Sequence, residues 1–513
     1  MRRIVSSMSP SNQLTTRQDC KDLFALILKG RSLIIASNRG PVSISLDESG
    51  SPSFSRGEGG LVTALTGIVE QVEATWISCA LSEVEKGWMK STIPLGENDR
   101  QIQVNFVKPD EQAYNGYYNV IANPLLWFLQ HSMWDIIHEP TIDSDTWEAW
   151  DEGYVKVNRQ FAEVIAQQII ENPYPSLVML HDYHLYLVPR FLREILPKGV
   201  KCTLTLFVHI PWPGTEDWGI LPSKMRWAIL DGLCATDLLG FQTREDGLNF
   251  IRSCESHLPN SRVNFHRGKI RHSSRHTYVR DFPISIDIEA IRRIAGSQEV
   301  SEHYEWLKNR VDDKQLIVRI DRIEPSKNIV RGFKAFEEFI SIYPQYVGKV
   351  QFLALLVPSR MEVDQYRSYL EELMASAGVV NAKYGSSEWE PVRVLVGEDY
   401  PRAIAAMQLY DVLLVNSIAD GMNLVAKEGP IVNQRKGVVI LSERTGARQQ
   451  LQEAALVVSP CDIYATAEAF HQALSMSEGE RKQRADKLRQ MIENEDITDW
   501  LCKQLEMIVS LKL

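Results

Sequence analysis

Short apolar runs recur along the chain, and segments with helical spacing separate them. A continuous apolar run bounded by polar turns is typical of a strand that is buried on both faces of a parallel sheet. Such runs occupy residues 33–36, 177–180, 203–208, 316–318, 350–356, 392–396, 412–415 and 438–441. Helical segments lie between them, for example at 330–340 and 401–410. This alternation predicts an α/β protein whose parallel sheets carry helices on both faces.

The apolar runs form two series, and the break between them falls near residues 282–287. A chain of 513 residues is also too long for one hydrophobic core. We therefore predict two doubly wound domains. In such sheets ligands bind beyond the carboxyl ends of the strands, so the residues that follow each apolar run are the candidates for a site.

The charge balance narrows the possible partners. A net charge of −10 and a pI of about 5.7 argue against a nucleic-acid surface. Anionic substrates would need positive charges that the fold gathers locally. We expect neither a membrane span nor a secretory signal, and therefore a cytoplasmic protein, because no run of about 18 apolar residues is present. The cysteines are scattered without a C-x-x-C pair, which favours a reduced compartment over a disulfide framework.

Glycine-rich turns follow the first strand, at 37–41 and again at 56–61. A glycine turn that opens a helix is suited to anions, because free backbone amides and the helix dipole face the same point. Turn formation alone explains these glycines equally well.

Two later segments carry charge at predicted strand ends. Arg322 and Lys327 straddle a turn and would converge on a pyrophosphate, although a solvated surface turn is the simpler interpretation. Asp420 and Gly421 follow another strand and lead into a helix, whose first amides are free for an anion. Glu428 on that helix would accept hydrogen bonds from ribose hydroxyls. The alternative is that Asp420 only caps the helix.

Histidines and acidic pairs raise the question of metal. His181 and His184 have a His-x-x-His spacing, but no carboxylates or cysteines cluster with them in the sequence. Asp143 and Asp145 imitate a metal-binding D-x-D, but they are better explained as the cap of a helix that starts near Trp147. We therefore predict no metal.

Several segments together resemble the trehalose-6-phosphate synthases, family 20 of the retaining glycosyltransferases. The most specific are HDYH at 181–184, HIPWP at 209–213, GFQT at 240–243, KYG at 383–385 and DGMNLVAKE at 420–428. The resemblance runs from about residue 33 to about residue 500. It implies two Rossmann-like domains in the glycosyltransferase B architecture, with a cleft between them.

The resemblance also implies the domain limits and the reaction. Residues 1–30 would be an N-terminal extension, 31–284 an acceptor-binding domain, 285–485 a nucleotide-sugar donor-binding domain, and 486–513 a helix that crosses back to the first domain. The enzyme would move glucose from UDP-, GDP- or ADP-glucose to glucose 6-phosphate, without a cofactor. The 326–332 segment resembles a branch that uses GDP-glucose.

On the donor side, the resemblance implies that Arg322 and Lys327 neutralise the diphosphate and that Glu428 meets the ribose. From the first domain, Gly60 would approach the diphosphate and His209 the hexose. The residues of the DGMNLVAKE motif that would hold the hexose or, through backbone amides, the phosphates are Asp420, Gly421, Met422, Asn423, Leu424 and Val425.

On the acceptor side, the resemblance implies a phosphate site made of Arg39, Tyr118, Trp127 and Arg360. Asp182 would face the acceptor hydroxyls. The implied catalytic set is Arg322, Lys327, Asp182 and His209. Transfer with retention and without an evident nucleophile implies that the departing phosphate oxygen takes the acceptor proton on the same face.

The sequence departs from the family pattern at four positions. Cys79 replaces the second aromatic residue of a W-x-G-W segment, Ala419 replaces an arginine, and Asn328 and Ser285 replace glycines. Cys79 keeps other phosphorylated acceptors open, namely glycerol 3-phosphate or a cyclitol phosphate. A non-catalytic sugar-phosphate sensor and a pyridoxal-phosphate phosphorylase are further alternatives. The sequence leaves a homo-oligomer possible.

Overall fold

The computed structural model describes residues 23, 27–47, 49–56, 74–88, 92–94, 101–311 and 313–513. Within these ranges the chain forms two large sheets, which are the centres of two Rossmann-like units, and one short hairpin. No helix in the described ranges is long and apolar enough to cross a membrane. The predicted α/β class with two doubly wound sheets is confirmed.

The first sheet has ten strands, in the order β10-β11-β12-β9-β8-β7-β1-β4-β6-β5. Neighbours from β12 to β6 are parallel, and the strands at the two edges are antiparallel. The strands are β1 Ser32–Ala36, β4 Ala74–Cys79, β5 Thr92–Pro94, β6 Gln101–Val107, β7 Ser176–His181, β8 Cys202–Phe207, β9 Leu238–Phe241, β10 Arg262–Asn264, β11 Lys269–His272 and β12 Arg275–Asp281. The hairpin pairs β2 Val42–Leu46 with β3 Pro52–Arg56.

The second sheet has six parallel strands, in the order β15-β14-β13-β16-β17-β18. Its strand β14 is buried at seven successive residues, as a continuous apolar run requires when helices cover both faces. The strands are β13 Gln315–Arg322, β14 Val350–Val357, β15 Val392–Val396, β16 Val412–Val415, β17 Val438–Ser442 and β18 Leu456–Val458. All eight apolar runs singled out in the sequence are strands.

Helices cover both sheets. Those of the first unit are α1 Glu83–Lys86, α2 Glu111–Asn115, α3 Trp127–Gln130, α4 Ser144–Glu148, α5 Lys156–Glu171, α6 Val188–Ile195, α7 Ser223–Leu233 and α8 Arg244–His257. Wider helical turns span Gly116–Leu126 and Ala149–Val155, and tight 3₁₀ turns span Tyr183–Leu185, Asp217–Ile220, Pro325–Lys327 and Pro344–Tyr346.

The later helices are α9 Ile288–Ala295, α10 Gln298–Val311, α11 Ile329–Ile342, α12 Asp364–Tyr384, α13 Tyr400–Leu409, α14 Val425–Val432, α15 Arg448–Leu451, α16 Ile463–Ser475, α17 Glu478–Glu493 and α18 Ile497–Ser510. The helices predicted at 330–340 and 401–410 correspond to α11 and α13. Of the expected N-terminal extension at 1–30, Leu23, Ile27 and Leu28 are described and are helical.

The two units meet at the segment that follows β12. Its Ile284 amide donates to Gln242 Oε1 at 2.9 Å, and its Ile284 carbonyl accepts from the buried Lys427 Nζ at 2.7 Å. Helix α18 joins the same region, since the Ile497 amide donates to the Ile286 carbonyl at 3.1 Å. The Trp500 ring of α18 lies 5.2 Å from the Phe207 ring at the end of β8. The C-terminal helix therefore packs across the first sheet.

The cysteines differ from expectation in one respect. Five of the seven are free thiols, and Cys502 on α18 is disulfide-bonded. The scattered spacing gave no sign of a disulfide, because chain positions far apart in sequence can be adjacent in a fold.

Candidate active site

The carboxyl ends of both sheets face one cleft, and the loop after β16 closes it. This donor loop, residues 419–424, touches the segment that follows β8. A Cβ at Gly421 would lie 1.9 Å from the His209 carbonyl oxygen, so a side chain does not fit there. Glycine is therefore required for the close approach of the two backbones. The loop is also held by the segment that follows β17, because the Gly446 amide donates to the Asp420 carbonyl at 3.0 Å.

Four candidate residues have left-handed backbone conformations, which non-glycine residues adopt at a cost. Their φ angles are +76° at Asp182, +60° at Asn328, +49° at Arg360 and +69° at Asn423. Strain of this kind concentrates at functional sites, where the surrounding structure holds it in place. All four residues follow a strand of one of the two sheets. Their clustering marks this cleft as the functional site.

Arg360 is the centre of a cationic and aromatic group that we call the arginine–aromatic cluster: Arg39, Tyr118, Trp127, Tyr183 and Arg360. The Arg360 guanidinium lies 4.2 Å from the centre of the Trp127 ring. Its Nη2 donates to the Tyr183 hydroxyl at 3.4 Å, and its Nη1 to the Tyr366 hydroxyl at 2.7 Å. These aromatic contacts orient the guanidinium plane.

Tyr118 connects the arginines of the two units. Burial alone would raise its pKa, but the charges and hydrogen bonds of Arg360 and Arg39 hold the pKa of Tyr118 below its usual value. The ring stacks at 5.7 Å on His184, from the HDYH segment. Arg39 lies just beyond β1, and its side chain is exposed. Two guanidinium groups from different sheets thus converge on one hydroxyl.

Glu324 is the carboxylate that this cluster shares with the donor side. Its Oε1 lies 3.1 Å from Arg360 Nη1 and 3.2 Å from Arg322 Nη1, and its side chain is fully buried. Burial favours the neutral acid, but Arg322, Arg360 and Lys327 outweigh it and lower the pKa of Glu324 to about 2. Glu324 is therefore an anion that positions two cations of the cleft.

Lys327 forms an ion pair with Asp420 of the donor loop. Asp420 Oδ2 also accepts from Asn423 Nδ2 at 3.1 Å and from Ser417 Oγ at 3.3 Å. Burial opposes ionisation of Asp420, but Lys327 keeps its pKa below the ordinary value. The interpretation of Asp420 as a helix cap is wrong, because α14 begins at Val425 with Leu424 at its N-cap.

Asp182 and His209 end two adjacent strands. The His209 amide donates to Asp182 Oδ1 at 3.2 Å, and the two side chains are partly buried. Burial raises the pKa of Asp182 to about 7, although the Tyr183 and His209 amides and the charges of Arg360 and Arg322 act against it. Burial lowers the pKa of His209, and His181 at 3.2 Å adds to this effect. His209 is therefore neutral near pH 7.

The remaining donor-motif residues extend the site along α14. Leu424 and Val425 lie at the first turn of this helix, where backbone amides have no intrahelical acceptor. Glu428 lies on the same helix, and Tyr400 Oη donates to its Oε1 at 3.5 Å. Burial raises the pKa of Glu428 to about 7. Met422 is buried in the core between the units. Gly60 lies outside the described residues.

Some residues of the cleft were absent from the sequence-based set. Glu324 lies two residues after Arg322, and this alternation of charge beyond a predicted strand could have identified it as a site residue. Tyr183 belongs to the HDYH segment. His131 lies one helical turn beyond Trp127 and stacks on its ring at 4.1 Å. Its Nδ1 is hydrogen-bonded to the Trp127 carbonyl oxygen at 2.7 Å. Tyr366 gave no signal, because a lone tyrosine on a long helix is common.

The four departures from the family pattern have different consequences. Asn328 takes the left-handed conformation that its family counterpart glycine permits, and its Nδ2 donates to the Asn416 and Pro460 carbonyls at 2.9 and 2.7 Å. Ser285 has no positive φ, so glycine is not needed there. Ala419 is buried. Cys79 is 1% exposed and packs in the core with Tyr117, so its side chain does not line the cleft.

The histidines and aspartates that the sequence analysis considered as metal ligands make ordinary side-chain contacts. Asp143 caps α4, since its Oδ1 accepts from the Thr146 amide at 2.9 Å. His184 stacks on Tyr118 and His181 contacts His209. Among the residues that the structure describes, no three His, Cys, Asp or Glu side chains are grouped as metal ligands.

Comparison with known proteins agrees with this geometry. Residues 31–510 match the sequence model of Glycosyltransferase family 20. A UDP-forming alpha,alpha-trehalose-phosphate synthase of Aspergillus niger is 34% identical over 485 residues, which cover 91% of this chain and 95% of that protein.

Two solved structures show the same fold. A structure from E. coli bound with UDP-2-fluoro glucose has a TM-score of 0.78 and 28% identity, and covers 93% of this chain and 98% of its own. A UDP-forming synthase from Burkholderia xenovorans, in complex with glucose-6-phosphate, has a TM-score of 0.77 and 25% identity, and covers 93% of this chain and 100% of its own.

Proposed function

The chain belongs to glycosyltransferase family 20, and we propose that it transfers glucose from UDP-glucose to glucose 6-phosphate, giving trehalose 6-phosphate with retention of configuration. One observation carries the proposal. A single cleft holds two groups of cations, Arg39 with Arg360 and Lys327 with Arg322, which the buried Glu324 joins. Two anionic substrates that react with each other require such an arrangement.

The donor is assigned to the side of the second sheet. Arg322 and Lys327 would neutralise the diphosphate, together with the amides of Leu424 and Val425 at the start of α14. Asp420 and the 421–423 backbone would hold the hexose, with His209 opposite, and Glu428 would accept from the ribose. Relatives named as UDP-forming support UDP-glucose as the donor over the GDP-glucose suggested by residues 326–332.

The acceptor is assigned to the arginine–aromatic cluster. A phosphate between Arg39 and Arg360 would receive charge-assisted hydrogen bonds, with Tyr118 as a further donor and Trp127 as the wall behind Arg360. Asp182 would accept from acceptor hydroxyls. The neighbour from Burkholderia xenovorans in complex with glucose-6-phosphate supports glucose 6-phosphate over other phosphorylated acceptors.

The chemical step would proceed on one face of the sugar. The bond from the glucose anomeric carbon to the β-phosphate oxygen breaks, and the departing oxygen takes the proton of the acceptor hydroxyl as the new glycosidic bond forms. Preorganised positive charge on the leaving diphosphate would supply most of the rate enhancement. Arg322 and Lys327 provide that charge, so we propose that the enzyme is metal-independent.

The division at residues 284/285 is also proposed, whereas the expected limit at 485/486 falls inside α17 and the crossing helix is α18. Strand β12 ends at Asp281 and β13 begins at Gln315, and the Ile284 hydrogen bonds to both units support a hinge between them. The cytoplasmic location and the homo-oligomer stay predictions.

Competition between acceptors tests the function. Glucose, glucose 6-phosphate and glycerol 3-phosphate are mixed at equal concentration with UDP-glucose, and the products are identified by mass and anomeric analysis. We expect trehalose 6-phosphate as the main product, because unphosphorylated glucose would forgo the charge-assisted hydrogen bonds that Arg39 and Arg360 would give to a phosphate. Efficient transfer to glucose would contradict the phosphate site. A preference for glycerol 3-phosphate would replace the proposed acceptor, and no transfer at all would favour a sensor.

A further inference from the structure

The antiparallel edge of the first sheet has a charge opposite to that of the whole protein. Residues 262–281, which we call the basic ribbon, contain six Lys or Arg and one Asp, in a chain whose net charge is −10. The ribbon consists of β10, β11 and β12. Like charges face each other across its strands, as in the pair Arg262–Arg271. Such pairs are destabilising, so this charge pattern is not explained by strand pairing.

A cavity of about 570 Å³ lies between this ribbon and helix α8, apart from the cleft described above. This volume is in the range of small-molecule sites. Its lining includes Arg244 from α8 and Arg267, Lys269 and Arg280 from the ribbon, together with the rings of Phe265 and Tyr278. The cavity therefore combines concentrated positive charge with apolar and aromatic surface.

The charges of the cavity are not neutralised from within the protein. No carboxylate of the described residues lies within 4.0 Å of the charged nitrogens of Arg244, Arg267 or Lys269. Asp281 is the only acidic residue in the lining that the structure describes. By contrast, Lys327 and Arg360 in the candidate active site each have an acidic partner.

The geometry of the ribbon keeps these groups in place. Arg280 Nη1 donates to the carbonyls of Arg267, Gly268 and Val279 at 3.0, 3.0 and 2.7 Å. Gly268 has a φ of +52°, and a Cβ there would lie 2.7 Å from Arg280 Nη1. The turn that carries Arg267 and Lys269 is therefore fixed by Arg280. Lys269 Nζ lies 5.0 Å from the Tyr278 ring.

A simpler explanation is that charged residues protect an edge strand from pairing with other chains. That explanation accounts for Arg262 and Arg271, which do not line the cavity. It does not account for cations that surround a concave space with two aromatic rings.

We propose that this cavity is a second anion-binding site, and that it takes a small phosphorylated molecule with a ring. The phosphate would lie among Arg244, Arg267 and Lys269, and the ring would lie against Phe265 and Tyr278. The cavity ends at Asp281, next to the hinge segment that begins with Phe282, so an occupant would contact the base of the hinge. The proposal is independent of the transfer reaction.

Calorimetric titration with inorganic pyrophosphate and with AMP tests the site without turnover. The background is Arg322→Ala/Lys327→Ala/Arg360→Ala, in which the proposed donor diphosphate site and the proposed acceptor phosphate site are both disabled. We expect one class of sites there, which Arg267→Glu/Lys269→Glu weakens by about tenfold or more. The matched control is Arg271→Glu, which reverses a charge of the same ribbon outside the cavity. Thermal melting checks that each variant is folded.

Three results would overturn the proposal. Loss of all binding in the Arg322→Ala/Lys327→Ala/Arg360→Ala background would mean that phosphate binds only in the cleft. Equal weakening by Lys269→Glu and Arg271→Glu would mean a diffuse field instead of a site. Tight binding of a long polyanion such as heparin that survives Arg267→Glu/Lys269→Glu, with no binding of pyrophosphate or AMP, would identify the ribbon as a macromolecular surface. Stronger binding of AMP than of pyrophosphate would identify a nucleotide as the source of the phosphate.

Discussion

The two sides of the cleft hold their positive charge in different ways. On the donor side, Lys327 is already paired with Asp420, and the two side chains are 12% and 15% exposed. On the acceptor side, Arg360 lies against Trp127 and the tyrosine hydroxyls, and its one carboxylate, Glu324, is shared with Arg322. A donor diphosphate would therefore exchange partners with the Lys327–Asp420 pair, whereas an acceptor phosphate would meet the Arg360 guanidinium already oriented by Glu324 and by aromatic rings.

The difference also extends to the backbone. The donor loop is fixed by direct contact between Gly421 and the His209 carbonyl, which belongs to the other unit. The acceptor side is fixed by stacked rings, such as Tyr118 on His184. Substitutions on the donor side are therefore expected to act on charge and on domain contact, and those on the acceptor side on orientation.

The largest effect is expected for Lys327→Ala. The variant removes a cation from the leaving diphosphate and leaves Asp420 buried without its partner. Loss of one preorganised group of this kind costs about 3 kcal/mol, or roughly a hundredfold or more in turnover. Steady-state kinetics at saturating UDP-glucose measure it, with Lys334→Ala as the control on the exposed face of α11. Near-normal turnover would show that Lys327 serves only the ion pair.

A smaller effect, confined to the acceptor, is expected for Arg360→Lys. An ammonium keeps the charge but loses the planar fork that contacts Glu324, Tyr183 and Tyr366. We expect kcat/KM for glucose 6-phosphate to fall by about ten- to a hundredfold, as loss of a charged hydrogen bond implies, while the KM for UDP-glucose stays nearly constant. Arg367→Lys, on the exposed start of α12, is the control. Equal effects on both substrates would end the distinction between the two sides.

Eight of the sixteen strands in the two sheets were predicted, because a buried parallel strand leaves a continuous apolar run, as in β14. Strands β10 and β11 were not, since a short, charged edge strand has no apolar run at all. Glu324 shows the same limit at the site. Its alternation with Arg322 is visible in the sequence, but the approach of Arg360 from β14 depends on the fold.

The family pattern predicted which residues converge, but not how they are held. Asn328 was noted as a departure from glycine, and the left-handed conformation explains why asparagine is accepted there. Cys79 was expected to affect the acceptor, and its burial with Tyr117 removes that expectation. Residue roles in the cleft stay predictions until variants are measured.

An intermediate effect on stability is expected for Gly421→Ala. The added methyl group would displace the donor loop from the His209 carbonyl, and overpacking of this kind costs about 1–3 kcal/mol. Thermal or denaturant unfolding measures it. Gly378→Ala on helix α12 is the matched control, because no atom lies within 4 Å of its Cβ and alanine favours a helix. Equal melting of the two variants would show that the backbone contact between the units does not constrain the loop.

A pH dependence is also expected on the proposed acceptor side of the cleft. Burial raises the pKa of Asp182 from 3.8 in the unfolded chain to about 7 in the fold. The folded protein therefore binds the extra proton between these values, and the contribution of Asp182 to stability falls as pH rises through this window. The ionised Asp182 carboxylate would accept hydrogen bonds from the hydroxyl groups of the sugar-phosphate acceptor. We expect kcat/KM for glucose 6-phosphate to rise about tenfold per pH unit up to pH 7 and then level off. The Asp182→Asn variant should be slow, and its kcat/KM should not change with pH below pH 7. The Glu428→Gln variant, measured at saturating UDP-glucose, should keep the decrease of kcat/KM at acid pH. An unchanged acid limb in Asp182→Asn would assign the titration to another group.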